Sequence, residues 1–193
     1  MSMNKTTSIF EKTLFTLLEK KNYHDITINE ICDVAKKTKM TFYRHYKDKE
    51  HLLAEASINL VNGEYGEGYN KILAKENDAE EIEYQSFLIT FELVAKHYEQ
   101  ISNLVYEGDR FPLEVFKNAL LENYQKQFAD FINTGGYDIP GNFLSIFFFE
   151  GLYNSSLYYA EQLKKNKNKN KIIKDSKKLC RILAKIAVGL IEK

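Results

Sequence analysis

Tryptophan is absent from the 193 residues, proline and cysteine occur twice each, and glycine only nine times. Each shortage excludes something. So little proline and glycine leaves too few turns for an all-β fold of many short strands. Cys32 and Cys180 lie far apart, with no Cys or His at ligand spacing. They offer neither a disulfide framework nor a metal site, and no cofactor is expected. Long apolar runs are also missing: Ile146-Phe147-Phe148-Phe149 is typical, and a membrane span needs about 20 residues. The start, MSMNKTTSIFEK, lacks the apolar core of a secretory signal. These absences predict a cytoplasmic protein with reduced thiols and no membrane partner.

What is present is aromatic and charged. There are 13 Tyr and 13 Phe, and 27 Lys and Arg balance 27 Asp and Glu. The zero net charge hides a sorting along the chain. Residues 1–53 hold 10 basic against 7 acidic side chains, a net of +3. Residues 54–163 hold 6 against 18, a net of −12, and residues 164–193 hold 11 against 2, a net of +9. A basic head on an acidic body suits one DNA-facing end on a soluble domain.

Apolar periodicity predicts helices throughout, hence an all-α fold. Phe10, Leu14, Leu17 and Leu18 recur at i, i+4, i+7 and i+8, giving a first helix from about Thr7 to Lys21 that ends at Asn22. Thr27 followed by Glu30 is a capping box, so a second helix starts there, with Ile28, Ile31, Cys32 and Ala35 as its inner stripe. After the Lys36-Lys37 corner, Thr38 caps a third short helix from Lys39 to about Tyr46. Asp48 caps a fourth, running towards Val61. The body reads as helices at roughly 79–106, 113–133, 142–165 and 171–192. The Gly135-Gly136 segment before Pro140 is the clearest break. The Lys/Asn run 164–171 is expected to be a solvated, mobile loop. The chain thus divides into a head over 1–53, whose short helices suit DNA, and a longer helical body over 54–193.

Two short helices joined by a tight corner, the second rich in Lys and Arg, make a helix-turn-helix. Phe42 and Tyr46 form the inner stripe of the second. Lys39, Met40 and Tyr43 form its outer face, flanked by Thr38, Thr41 and Arg44. Lys47 and Lys49 open the next helix, where exposed amides and positive charge suit a phosphate. Cys32 reads as a core residue, since burial makes a thiol inert.

The run Thr38-Lys39-Met40-Thr41-Phe42-Tyr43-Arg44-His45-Tyr46-Lys47-Asp48-Lys49-Glu50, ending in Leu52-Leu53 and preceded by Ile26-Thr27-Ile28, Glu30-Ile31 and Ala35, resembles the DNA-binding domain of the tetracycline-repressor (TetR) family. The resemblance covers about the first quarter of the chain. It implies phosphate contacts at Thr27 and Asn29 and recognition-helix contacts at Thr38, Lys39, Met40, Thr41, Tyr43, Arg44 and His45. It also implies a phosphate clamp at Lys49. The corner departs from the family, which has Gly and then an apolar residue where this chain has Lys36-Lys37. Lys36 is then expected in a strained or variant turn, and Lys37 adds a cation facing DNA.

The resemblance further implies a homodimeric repressor on a palindromic operator in double-stranded DNA, released by a small-molecule effector. An activator or co-regulator of the same fold is the alternative. No nucleophile–base set or phosphate loop supports an enzyme. The last helix carries a seam of Ile172, Leu179, Leu183, Ile186 and Leu190 which, with Leu157 on the helix before it, suits a partner helix. Tyr84, Phe87, Phe91, Tyr106, Phe128, Phe147 and Tyr153 are candidate pocket aromatics. Glu92, Glu107, Asp109 and Glu150 lie among them, which would suit a cationic aromatic ligand. The competing reading makes these aromatics plain core.

Overall fold

The computed structural model describes residues 5–134, 141–165 and 168–191, with side chains described except at 127–134, 141–142 and 190–191. Among these residues the chain is all-α: α1 (Lys5–Leu18), α2 (Ile28–Ala35), α3 (Lys39–His45), α4 (Lys49–Leu73), α5 (Ala79–Lys96), α6 (Tyr98–Ser102), α7 (Phe111–Thr134), α8 (Gly141–Lys165) and α9 (Lys169–Ile191). A 3-10 turn, Tyr23–Asp25, joins α1 to α2. No strand occurs among the described residues.

Contacts divide the chain into two compact units. The first holds residues 1–61 and 99–123, the second 62–98 and 124–193.

The first unit is organised by the inner stripe of α1. Phe10, Leu14 and Leu18 are fully buried, as are Ile26, Ile31, Phe42, Leu52 and Leu53. Each buried side chain of this size contributes about 1.5–3 kcal/mol of apolar burial. Phe10 sits at the centre, its ring edge-on to Phe42 at 5.5 Å and to Tyr46 at 6.1 Å.

In the second unit α5 packs on α8 and α9. Phe87 and Phe91 of α5 meet Cys180 and Ala184 of α9, with Leu152, Tyr159, Leu179 and Leu183 around them. Both cysteines are buried and unbridged. Burial pushes the Cys180 thiol up to about 11 and raises that of Cys32, so neither is a ready thiolate.

Two elements differ from the sequence pattern. The helix expected over 79–106 is two: α5 ends at Lys96, and α6 stops at Ser102. Asn103 explains the second stop. Its carbonyl accepts from the Tyr23 amide at 2.8 Å and its side chain donates to the Leu18 carbonyl at 2.8 Å, so tertiary bonds replace the helical ladder. The Lys/Asn run is mostly helix: α8 continues to Lys165, and Asn168 Oδ1 accepts from the Lys171 amide to open α9. The expected break at 135–140 lies outside the described residues.

Candidate nucleic-acid interface

The turn between α2 and α3 is built by backbone geometry that lysine does not favour. Lys36 has φ 52° and ψ 46°, the left-handed region usually filled by Gly. Its amide donates to the Asp33 carbonyl at 3.2 Å, and the Lys37 amide to the Cys32 carbonyl at 2.9 Å. This pair of bonds is a Schellman motif, so the corner is an ordinary helix-turn-helix turn with a lysine in the glycine slot. The strain anticipated from the missing glycine is real and sits on one residue.

Caps then fix both helices. Thr27 Oγ1 accepts from the Glu30 amide at 3.2 Å, opening α2. The reciprocal half of the capping box is replaced, because the Glu30 carboxylate pairs with Lys21 at 2.6 Å and ties α2 to the end of α1. Thr38 Oγ1 accepts from the Thr41 amide at 3.2 Å and opens α3. Asp48 Oδ1 accepts from the His51 amide at 2.7 Å and opens α4.

With Phe42 and Tyr46 buried, the opposite face of α3 points to solvent. Met40 is 83% and Tyr43 55% exposed, and Thr38, Lys39 and Arg44 are exposed with them. Thr27, Asn29, Lys36 and Lys47 are also exposed, while Lys37, Thr41 and His45 are partly covered. From Val34 to Lys47 the chain carries five cations, at Lys36, Lys37, Lys39, Arg44 and Lys47, and no acid. A short helix with polar, aromatic and cationic groups on its free face matches the chemistry that reads base edges and phosphates.

Lys49 is placed otherwise than as a free phosphate clamp. Its ammonium donates to the carbonyls of Tyr23 (2.8 Å) and Ile26 (2.7 Å) and lies 4.0 Å from the centre of the Tyr23 ring. Burial lowers its pKa. Lys49 thus braces the turn before α2, where Tyr23 also donates to Glu50 at 3.2 Å.

Two groups that hold the interface were missed from the sequence. Glu11 is 6% exposed, accepting from Tyr46 Oη at 3.0 Å and from Asn59 Nδ2 at 3.0 Å. Burial raises its pKa against the lowering by these two donors. The signal was present: Glu11, Leu14 and Leu18 share one helical face at i, i+3 and i+7. The second group brings α6 and the loop after it onto α1 and the 3-10 turn. His24 Nε2 meets Asp109 at 2.8 Å, and Gln100 donates to Glu19 at 3.1 Å. Asp109 also accepts from the Phe111 amide, which with His24 holds its carboxyl below the usual range.

The candidate pocket residues take different settings. Phe87 and Phe91 are core, Tyr84 lies under the Arg181 guanidinium at 3.6 Å, and Tyr106 belongs to the first unit, in a turn with Asp109. Phe147 is 65% exposed, Tyr153 is buried and stacked on Phe149 at 5.8 Å, and Glu150 accepts from Asn154. The Phe128 side chain lies outside the described residues. Leu179 and Leu183 of the expected seam pack inside their own chain instead, because the Cys180–Ala184 stripe of α9 faces α5. Leu157 is partly buried, Ile186 is exposed, and the Leu190 side chain lies outside the described residues. Among the described residues no helix is long and apolar enough to cross a membrane, and no three His, Cys, Asp or Glu could hold a metal.

Residues 13–56, the segment that builds α2, the turn and α3, match the family model of the bacterial regulatory proteins, tetR family. The whole chain shares its fold with solved proteins of that family. One, from Syntrophomonas wolfei and described as a TetR-family transcriptional regulator, is 18% identical with a TM-score of 0.66, over 93% of this chain and 95% of that one. Another TetR-family regulator, from Pectobacterium atrosepticum, is 18% identical with a TM-score of 0.59, over 98% and 95%. The regulator FadR from Bacillus subtilis, solved in complex with stearoyl-CoA, is 13% identical with a TM-score of 0.56, over 88% and 96%. No curated protein sequence matches the chain. The N-terminal segment thus matches the tetR family model, and the chain has the fold of these solved regulators.

Proposed function

We propose that the protein is a homodimeric repressor that binds a palindromic operator through α3 and leaves it when a small molecule binds in the second unit. The observation that carries the DNA reading is the acid-free, solvent-facing surface of α3. In this reading Thr38, Lys39, Met40, Thr41 and Tyr43 meet base edges. Thr27, Asn29, Lys37, Arg44, His45 and Lys47 meet phosphates. The site of action is then the compartment that holds the DNA, the cytoplasm.

The dimer reading rests on an apolar face left uncovered within one chain. Along α8, Phe143, Phe147 and Tyr158 are 71%, 65% and 65% exposed, at i, i+4 and i+15 on one side of the helix. On α9, Ile182 and Ile186 are also exposed, at 56% and 44%. A second copy of the same face would bury it and set two recognition helices about 34–36 Å apart, one DNA turn. The stearoyl-CoA bound to the Bacillus subtilis FadR supports a small-molecule effector. Effector coupling of about 1–3 kcal/mol would change operator affinity roughly 5- to 150-fold.

Transcription in vitro from a promoter overlapping the selected binding site tests the sign of regulation. The repressor reading expects transcript to fall as protein is added. A rise would make the protein an activator instead.

A further inference from the structure

The zero net charge of the chain leaves its last helix strongly basic. From Lys169 to Lys185, α9 carries seven cations and one acid, Asp175. A helix turns about 100° per residue, so Lys171, Lys174, Lys177, Lys178, Arg181 and Lys185 share an arc of about 120° that runs about 21 Å along the axis. The five lysines of this stripe are exposed, and none forms an ion pair among the described residues. Arg181 differs, pairing with Glu80 at 3.7 Å and Glu81 at 2.8 Å. Lys174, Lys177, Lys178 and Arg181, with Asn170 and Ile173, line an open groove of about 420 Å³. The contact of α9 with α5 runs through Cys180 and Ala184 and leaves the lysine side to solvent.

Such a stripe works against its own helix. Like charges at i, i+3 and i, i+4 are destabilising, and Lys171, Lys174 and Lys178 repeat that spacing, as do Lys177, Arg181 and Lys185. Cations near a helix N-terminus also oppose its dipole, and the first turn of α9 holds lysines and no acid. A polyanion laid along the stripe relieves both. Its kind follows from what α9 lacks. From 168 to 191 the helix has no aromatic residue on which the bases of a single strand stack. A helix lying on a membrane inserts an apolar face, and α9 commits its Cys180–Ala184 stripe to α5. Duplex DNA asks only for cations in a row that meet phosphates.

We propose that the lysine stripe of α9 is a second, sequence-independent surface for duplex DNA, carried by the second unit. Lysines there meet phosphates and read no bases. The surface stands apart from α3 and does not depend on how α3 reads an operator.

The test uses the full-length protein weakened at the first unit by Lys37→Ala, Arg44→Ala and Lys47→Ala, and titrates it with a random-sequence duplex across a range of salt. Duplex binding is expected to remain. Adding Lys174→Ala, Lys177→Ala and Lys178→Ala is expected to weaken it tenfold or more and to lower the slope of log affinity against log salt by about 2–3. Arginine at the same three positions is expected to keep both. No remaining binding, binding unmoved by the three alanines, or equal loss with arginine and alanine overturns the surface. Phosphatidylserine vesicles bound more tightly than the duplex at the same salt overturn its assignment to DNA.

The two DNA surfaces fail separately. With an intact first unit, the three α9 alanines are expected to leave the enriched half-site unchanged, and altered enrichment would contradict a surface that reads no sequence. Random-duplex affinity unmoved by the changes at Lys37, Arg44 and Lys47 but lost with the α9 alanines supports the stripe and sinks the phosphate contacts around α3.

Discussion

Tyr46, at the end of α3, donates its hydroxyl to Glu11 of α1 at 3.0 Å, across 35 positions of sequence. Asn59 of α4 donates to the same carboxylate oxygen, so one acid joins α1, α3 and α4 behind the exposed face of α3. Removing one donor to a buried, charged acceptor is expensive. Tyr46→Phe is expected to destabilise the protein by about 1–3 kcal/mol in denaturant unfolding.

The same contact predicts a pH dependence. The Glu11 pKa is raised in the folded state, so the folded chain holds that proton more tightly than the unfolded one. The stability this contributes is complete below the ordinary carboxyl value of 4.5 and lost as pH rises through the raised value. Glu11→Gln cannot lose it. Stability measured from pH 4 to 8 is therefore expected to fall in the native protein relative to Glu11→Gln, with the difference levelling off above the raised value. A difference that shrinks as pH rises would mean that the carboxylate is stabilised in the fold.

Lys36 bears left-handed backbone strain that glycine relieves. Lys36→Gly is expected to stabilise the protein by up to about 1 kcal/mol, the steric relief of about 1–2 kcal/mol being partly offset by glycine's greater freedom when unfolded. Lys36→Ala, which also removes the charge but not the strain, is expected to give no such gain in thermal unfolding.

Lys37 and Lys49 separate a cation proposed to meet DNA from one committed to the fold. Lys37→Ala is expected to lower the slope of log affinity against log salt by about 0.9, with little change in stability. Lys49→Ala leaves two carbonyls without their donor and is expected to cost about 1–3 kcal/mol of stability. Its salt slope should stay unchanged. A drop of about one in the Lys49→Ala slope would restore the clamp role suggested by the family resemblance.

The uncovered face of α8 and α9 gives a further test. Phe147→Lys or Ile186→Glu places charge on an exposed apolar surface, so neither should harm the folded chain alone. Sedimentation equilibrium is expected to show dimers for the native protein and monomers for Phe147→Lys. Unchanged assembly in both variants would remove this face from the interface.

Much of the first unit was legible because its rules are local. Capping at Thr27, Thr38 and Asp48, the inner pair Phe42 and Tyr46, and the displaced glycine at Lys36 all follow from neighbours within a few positions. Glu11 went unnoticed, and Lys49 was read as a phosphate clamp, because charge type says "surface", whereas their partners come from elements distant in sequence. The break in the expected 79–106 helix was hidden for the same reason: Asn103 bonds to Leu18 and Tyr23, both about 80 positions away. On α9, Ile and Leu recur around the helix, so periodicity alone did not tell the stripe facing α5 from the side bearing Ile182 and Ile186.

Selection of bound duplexes from random DNA, run on the native protein and on Lys39→Ala and Tyr43→Ala, tests the central claim most directly. The native protein is expected to enrich an inverted repeat with half-sites about 10 base pairs apart, centre to centre, and each variant to enrich an altered half-site at the same spacing. No enriched sequence with the native protein, or an identical half-site from all three, would contradict recognition through the exposed face of α3.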